Sequence, residues 1–260
     1  MEGNSSNSAP QTKSDKQDPS SIPSSVLDYL QPNYWDQRFS SEDNYEWLKD
    51  YSHFEHLLRE HVKATHSVLE IGCGSSHLCE GLYRDGITDI TCTDLSKVAV
   101  EKLQKWVESM GYHGIKVVEA DMLDLPFGDG CYDFVIEKGT MDLLFVDSGD
   151  PWDPHPATVS KVMATLRGVH RVLKTDGIFV SISFGQPHFR RPFFEAEEFL
   201  WSLDWKTFGD GFHYFFYVLK KGKRTSKSNG IKIVAPSICL LQEELEGEDY
   251  IFRTNFDENK

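Results

Sequence analysis

Apolar and polar positions along the chain sort into short strand-like runs and longer helix-like stretches between two polar ends. Residues 67–71, 90–93, 115–119, 132–136 and 178–184 are apolar runs bounded by turn residues, which predicts buried strands. Between them, apolar residues recur at helical spacing. In residues 97–109 they are Val98, Val100, Leu103, Trp106 and Val107, with Ser96 as the starting cap and Gly111 as the stop. Residues 54–61, 75–84, 158–172 and 193–201 also read as helices. Two further runs, 206–208 and 214–219, are joined by the Gly209-Asp210-Gly211 turn and suit an antiparallel hairpin. The pattern predicts an α/β fold: a seven-stranded, mostly parallel sheet ending in an antiparallel hairpin, with helices on both faces.

The first strand runs into Glu70-Ile71-Gly72-Cys73-Gly74-Ser75-Ser76. Gly72 and Gly74 let the backbone pass close to a ligand, and the helix behind them offers free N–H groups. His77 stands where a dinucleotide fingerprint needs its third glycine. An acid two residues before G-x-G resembles the cofactor loop of class I S-adenosylmethionine (SAM) methyltransferases. The Glu70 carboxylate suits a ligand with a cationic amino group and a sulfonium, and would repel a pyrophosphate.

Asp94 ends the second strand, 22 residues past Gly72, where a carboxylate matches the vicinal hydroxyls of a ribose. With Ser96 capping the next helix, Asp94 is left for ligand. Asp121 and Met122, at the tip of the third strand, are placed to take an adenine, the acid by its exocyclic amine and the thioether by its face. Glu137, Lys138 and Asp142 lie at the end of the fourth strand, the charged residues nearest the reacting centre. Glu137 and Asp142 are the candidates for positioning an amine. Two loops at the same end supply candidate substrate contacts: Trp152 in Asp150-Pro151-Trp152, and His188 in the basic, aromatic stretch 186–192, which suits an acidic substrate segment.

Composition narrows the function further. A net charge of −14 argues against sequence-independent nucleic-acid binding. No apolar run approaches the roughly 20 residues that cross a bilayer. Residues 1–25 read as a disordered extension without the marks of a signal or transit peptide, 26–222 as the catalytic domain, and 223–260 as a weakly structured polar tail. The five cysteines form no close C-x-x-C pair, so neither a disulfide framework nor a metal site is expected. Cys73, Cys92 and Cys131 are expected to be buried thiols. A cytoplasmic monomer is the expectation.

Several motifs agree as a set: Tyr34-Trp35-Asp36-Gln37-Arg38-Phe39, the glycine loop, Glu137-Lys138-Gly139-Thr140-Met141-Asp142, Asp150-Pro151-Trp152, Pro187-His188-Phe189-Arg190 and Gly211-Phe212-His213-Tyr214. From about residue 33 to 221 the chain resembles the elongation factor 1A lysine methyltransferase 4 type, related to the citrate synthase lysine methyltransferase type. The resemblance implies a Rossmann-like, SAM-dependent protein-lysine methyltransferase whose partner is a translation elongation factor, elongation factor 1A. It implies that Trp35, Phe39 and Trp47 cover the cofactor, that Asp94 and Leu95 lie on the ribose and Asp121 and Met122 on the adenine, and that Lys138 lies near the methionine end. Phe39 stands where a tyrosine is common, so a hydroxyl contact is lost there. No Asn-Pro-Pro-Tyr or Asp-Pro-Pro-Tyr follows strand four, which removes the usual clamp for nucleic-acid bases. A small-molecule methyltransferase and a non-catalytic SAM-binding scaffold are the alternatives. The length hardly permits the second mononucleotide half of a dehydrogenase.

Overall fold

The computed structural model describes residues 25–222. The expected disordered extension (apart from Ser25), the polar tail and Cys239 lie outside the described residues. In chain order the strands are β1 (Ser67–Ile71), β2 (Asp89–Asp94), β3 (Ile115–Glu119), β4 (Tyr132–Lys138), β5 (Gly149–Asp150), β6 (Asp153–Pro154), β7 (Leu173–Ser183), β8 (Trp201–Phe208) and β9 (Tyr214–Lys221). The helices are α1 (Pro32–Ser41), α2 (Glu55–Leu58), α3 (Leu78–Arg84), α4 (Lys97–Met110), α5 (Pro156–Val172) and α6 (Pro187–Phe194). Seven strands form one sheet in the order β3-β2-β1-β4-β7-β9-β8, with β9 antiparallel to both of its neighbours. β5 and β6 make a separate two-residue ladder.

Both faces of the sheet are covered, so its central strands read as near-continuous apolar runs. The period of two still decides which way each side chain goes. Val68, Phe134, Ile136, Val180 and Phe216 pack with Leu58, Leu78, Leu82 and Leu103 on one face. Leu69, Ile71, Val135, Phe179 and Tyr217 pack with Val162, Leu166 and Val169 of α5 and Phe194 of α6 on the other. Each fully buried large apolar side chain contributes on the order of 1.5–3 kcal/mol of transfer free energy. α4 begins where Ser96 Oγ accepts from the Ala99 N–H, and it stops at Gly111 with φ +70°, both as its sequence predicts.

Four expectations need correction. The stretch 186–192 is not a loop. Pro187 at the first helical position, with its φ already set for a helix, starts α6 there. The helix expected over 193–201 is therefore displaced toward the N-terminus, and Trp201 opens β8. The helix over 54–61 shrinks to four residues behind a 3-10 turn at Tyr51–His53. Cys131 is exposed, because it precedes β4 in a turn and does not lie within a strand; Cys73, Cys79 and Cys92 are buried free thiols.

Candidate active site

Parallel pairing sets Ile71 beside Thr93 and Glu137, and Asp94 beside Glu119, so the carboxyl ends of β1 to β4 open at one edge. β1 has β2 on one side and β4 on the other, which makes this edge the topological switch point where α/β sheets bind ligands. The glycine loop turns there. Gly72 has φ +68°, and a Cβ on it would lie 2.1 Å from Thr140 Oγ1, so no other residue fits. The Gly74 N–H donates to Asp94 Oδ2 and the Ser96 N–H to Asp94 Oδ1, each at 2.8 Å. Asp94 is thus fixed by the loop it faces. Its burial pushes the carboxyl upward, and the N–H groups of Ser96 and Gly74 pull it back.

The segment before β1 closes over this edge. Trp35 stacks on Phe39 with centroids 5.6 Å apart, and Trp47 meets Trp35 edge-on at 6.0 Å. Polar links hold this wall down. Lys102 of α4 donates to the Phe39 carbonyl at 2.8 Å and the Glu42 carbonyl at 2.6 Å. Ser96 Oγ donates to Asp36 Oδ1 at 2.5 Å. Glu46 accepts from Ser76 Oγ and from the His77 N–H, both at 2.8 Å, at the start of α3, which has no side-chain cap of its own. Lys138 Nζ donates to Glu46 Oε2 at 3.0 Å and to the Trp47 carbonyl at 2.6 Å. The chain then turns inward through Leu48 and Lys49, at φ +53° and +76°, a conformation that costs a non-glycine residue on the order of 1–2 kcal/mol.

Wall and loop enclose a cavity of about 370 Å³, within the range of small-molecule sites. Trp35, Phe39, Trp47, Glu70, Gly72, Gly74, Asp94, Leu95, Asp121, Met122, Lys138 and Asp142 all line it. Two buried donors there, Trp47 Nε1 and Ser75 Oγ, have no protein partner, which marks them for a ligand with acceptor atoms. Glu70 is buried in the floor. Desolvation pushes its carboxyl up to about 7, and the Cys92 thiol donates to it at 3.3 Å. Asp121 Oδ1 accepts from the Leu123 N–H at 2.8 Å, which orients the acid. This donor set fits SAM. Carboxylates suit a diol, an exocyclic amine and an amino group, and the orphan donors suit a carboxylate.

Four candidates stand elsewhere or do other work. Glu137 does not reach the cavity: its carboxylate accepts from the Thr140 N–H at 2.9 Å, the Met141 N–H at 3.0 Å and the Ser181 hydroxyl. This corrects the expectation that it positions an amine. Asp142 does line the cavity, but it is already engaged by Arg190 Nη2 at 2.6 Å, Ser183 Oγ at 2.5 Å and the Phe184 N–H. Trp152 and His188 stack on each other outside the cavity, with centroids 5.0 Å apart. Sequence reasoning missed Glu46 and Asp36, whose one signal was a charged residue inside an aromatic segment.

Residues 63–208 match a family model described as a methyltransferase domain. The Bos taurus protein named EEF1A lysine methyltransferase 4 is 32% identical over 244 residues, covering 88% of this chain and 93% of its own length. The Mus musculus eEF1A lysine and N-terminal methyltransferase is 31% identical over 169 residues, covering 64% of this chain and 23% of its own. Among solved structures, the methyltransferase bound to the Trm112 activator of Haloferax volcanii is similar with a TM-score of 0.54 at 16% identity, over 76% of this chain and 97% of that one. That likeness shows a shared fold.

Proposed function

We propose, because the chain belongs to the methyltransferase-domain family and within it to the EEF1A lysine methyltransferase 4 group, that it is a SAM-dependent protein-lysine N-methyltransferase acting on translation elongation factor 1A. The observation that carries this reading is the cavity in which the glycine loop, the acids of three strand tips and the aromatic wall converge. Bound SAM supplies a methyl group activated by a positively charged sulfur. Asp94 holds the ribose hydroxyls, and Asp121 with Met122 holds the adenine. Glu70 takes the amino group, and Trp47 Nε1 donates to the carboxylate. Trp35, Phe39 and Trp47 shield the site, so the acceptor amine meets the donor without competing water.

A lysine side chain has a pKa of roughly 10.4 and must lose its proton before it reacts. Leu143, Leu144, Val146 and Phe184 form an apolar side of the cavity. Desolvation against them disfavours the ammonium form. Asp142 does not oppose this, since its charge is matched by Arg190.

The protein is proposed to work as a cytoplasmic monomer on a protein partner, without nucleic acid or a membrane surface. Four described cysteines without a disulfide agree with a reducing compartment, and the net charge of −14 disfavours phosphate backbones. Among the described residues no helix is long and apolar enough to cross a membrane. The test is transfer of labelled methyl from SAM into whole-cell extract, with Asp94→Ala beside the wild type. One labelled protein of elongation factor 1A size, absent with the variant, supports the proposal. Label confined to small molecules overturns it.

A further inference from the structure

Beside the cavity lies an aromatic cluster that the cofactor site does not use. Trp152, 66% exposed, stands on the β5–β6 hairpin. The His188 ring lies nearly parallel to the indole at 18°, and Phe189 meets it edge-on with centroids 5.0 Å apart. Asp147, Asp150 and Asp153 surround the hairpin, all exposed, and among the described residues no ion pair engages them. Asp150 Oδ1 accepts from the Trp152 backbone N–H at 2.9 Å. The two arginines of 186–192 are paired, Arg190 with Asp142 and Arg191 with Glu195, so the exposed charge on this face is that of the hairpin's aspartates. An exposed indole on a hairpin that carries carboxylates suits a cation.

Its position relative to the cavity is fixed. Val146 lines the cavity, and the hairpin follows directly. On the other side, Arg190 of α6 binds the cavity residue Asp142 and lies 3.8 Å from the Phe145 ring centroid. His188 and Phe189 precede Arg190 on the same helix, so one buried ion pair holds the cluster against the cavity wall.

We propose that the Trp152–His188–Phe189 stack docks a basic side chain of the protein substrate, next to the lysine that enters the cavity. The indole face takes the cation and the three aspartates hold its charge. The site thereby selects a target lysine that has a Lys or Arg neighbour. The net charge of −14 draws such a segment in. This rests on the lysine-methyltransferase reading and names what that site selects.

The test has two arms. With purified elongation factor 1A as substrate, Trp152→Ala raises KM roughly 2- to 30-fold, the span expected for losing a cation–indole contact. The change falls on KM rather than kcat, SAM affinity is unaltered, and Trp152→Phe recovers part of the loss. In the second arm, fluorescein-labelled hexalysine binds the wild type at low salt and binds Trp152→Ala and Asp150→Asn/Asp153→Asn more weakly, while hexaglutamate does not bind. Hexalysine binding that depends on Trp152, without any methylation of elongation factor 1A, keeps the docking site and refutes the substrate. Equal hexalysine binding by wild type and Trp152→Ala refutes the docking site, whatever elongation factor 1A does.

Discussion

Replacing Glu137 by glutamine separates a structural carboxyl from a catalytic one. Burial, with Asp142 nearby, pushes the Glu137 carboxyl up to about 7, from the ordinary 4.5. Between those values the folded protein holds a proton that the unfolded chain has released, so stability falls as pH rises across that window. The ionised form costs at most about 3 kcal/mol once pH exceeds 7, at roughly 1.36 kcal/mol per pKa unit. Glutamine mimics the protonated form without strain. Both backbone donors, Thr140 and Met141, point at the same oxygen, Oε2, and the amide can donate to Ser181 Oγ from the other side. Glu137→Gln is therefore as stable as wild type at pH 5 and more stable at pH 8, by up to about 3 kcal/mol. That corresponds to about 6–12 °C in melting temperature for a domain of this size. The assay is thermal unfolding from pH 4.5 to 8.5. Glu70, also pushed up to about 7, gives both proteins the same background slope, so the difference between them isolates Glu137. The variant also keeps its methyl-transfer turnover. A Glu137→Gln protein less stable than wild type at pH 8, or one that has lost turnover, would refute this account of the residue.

The other predictions concern the cavity and its supports. Lys138→Met removes both ties to the aromatic wall and leaves Leu48 and Lys49 strained; SAM affinity measured by calorimetry falls by roughly 100-fold, from the loss of about 3 kcal/mol in hydrogen bonds to a charged group. Gly72→Ala forces a Cβ into Thr140 and abolishes SAM binding, with a drop in melting temperature as the second readout. Arg190→Met strips a buried carboxylate of its partner and destabilises the fold by about 3–5 kcal/mol in urea unfolding, and adding Asp142→Leu recovers part of it.

Much of this site was legible in the sequence because it rests on local geometry. Asp94 ends β2, while Gly72 and Asp121 follow the ends of β1 and β3 within two residues, and strand ends follow from apolar runs and turn residues. Glu137 was misread because proximity to a strand tip was weighed above the period of two. Val135 packs with α5 on one face and Ile136 on the other, so Glu137 and Lys138 cannot both face the cofactor. Glu70 follows Leu69 as Lys138 follows Glu137, and it shares the face of Val68, which puts Glu70 and Lys138 together in the cavity. The role of Glu46 was out of reach. It joins Ser76, His77 and Lys138, residues about 30 and 92 positions away, and no local pattern encodes such a meeting.

The most direct measurement is peptide mass spectrometry of purified elongation factor 1A after incubation with SAM and either the wild-type protein or Asp94→Ala. Methylation of one defined lysine by the wild type, and none by the variant, is the predicted result. Elongation factor 1A that stays unmodified while the wild type binds SAM tightly would contradict the proposed function.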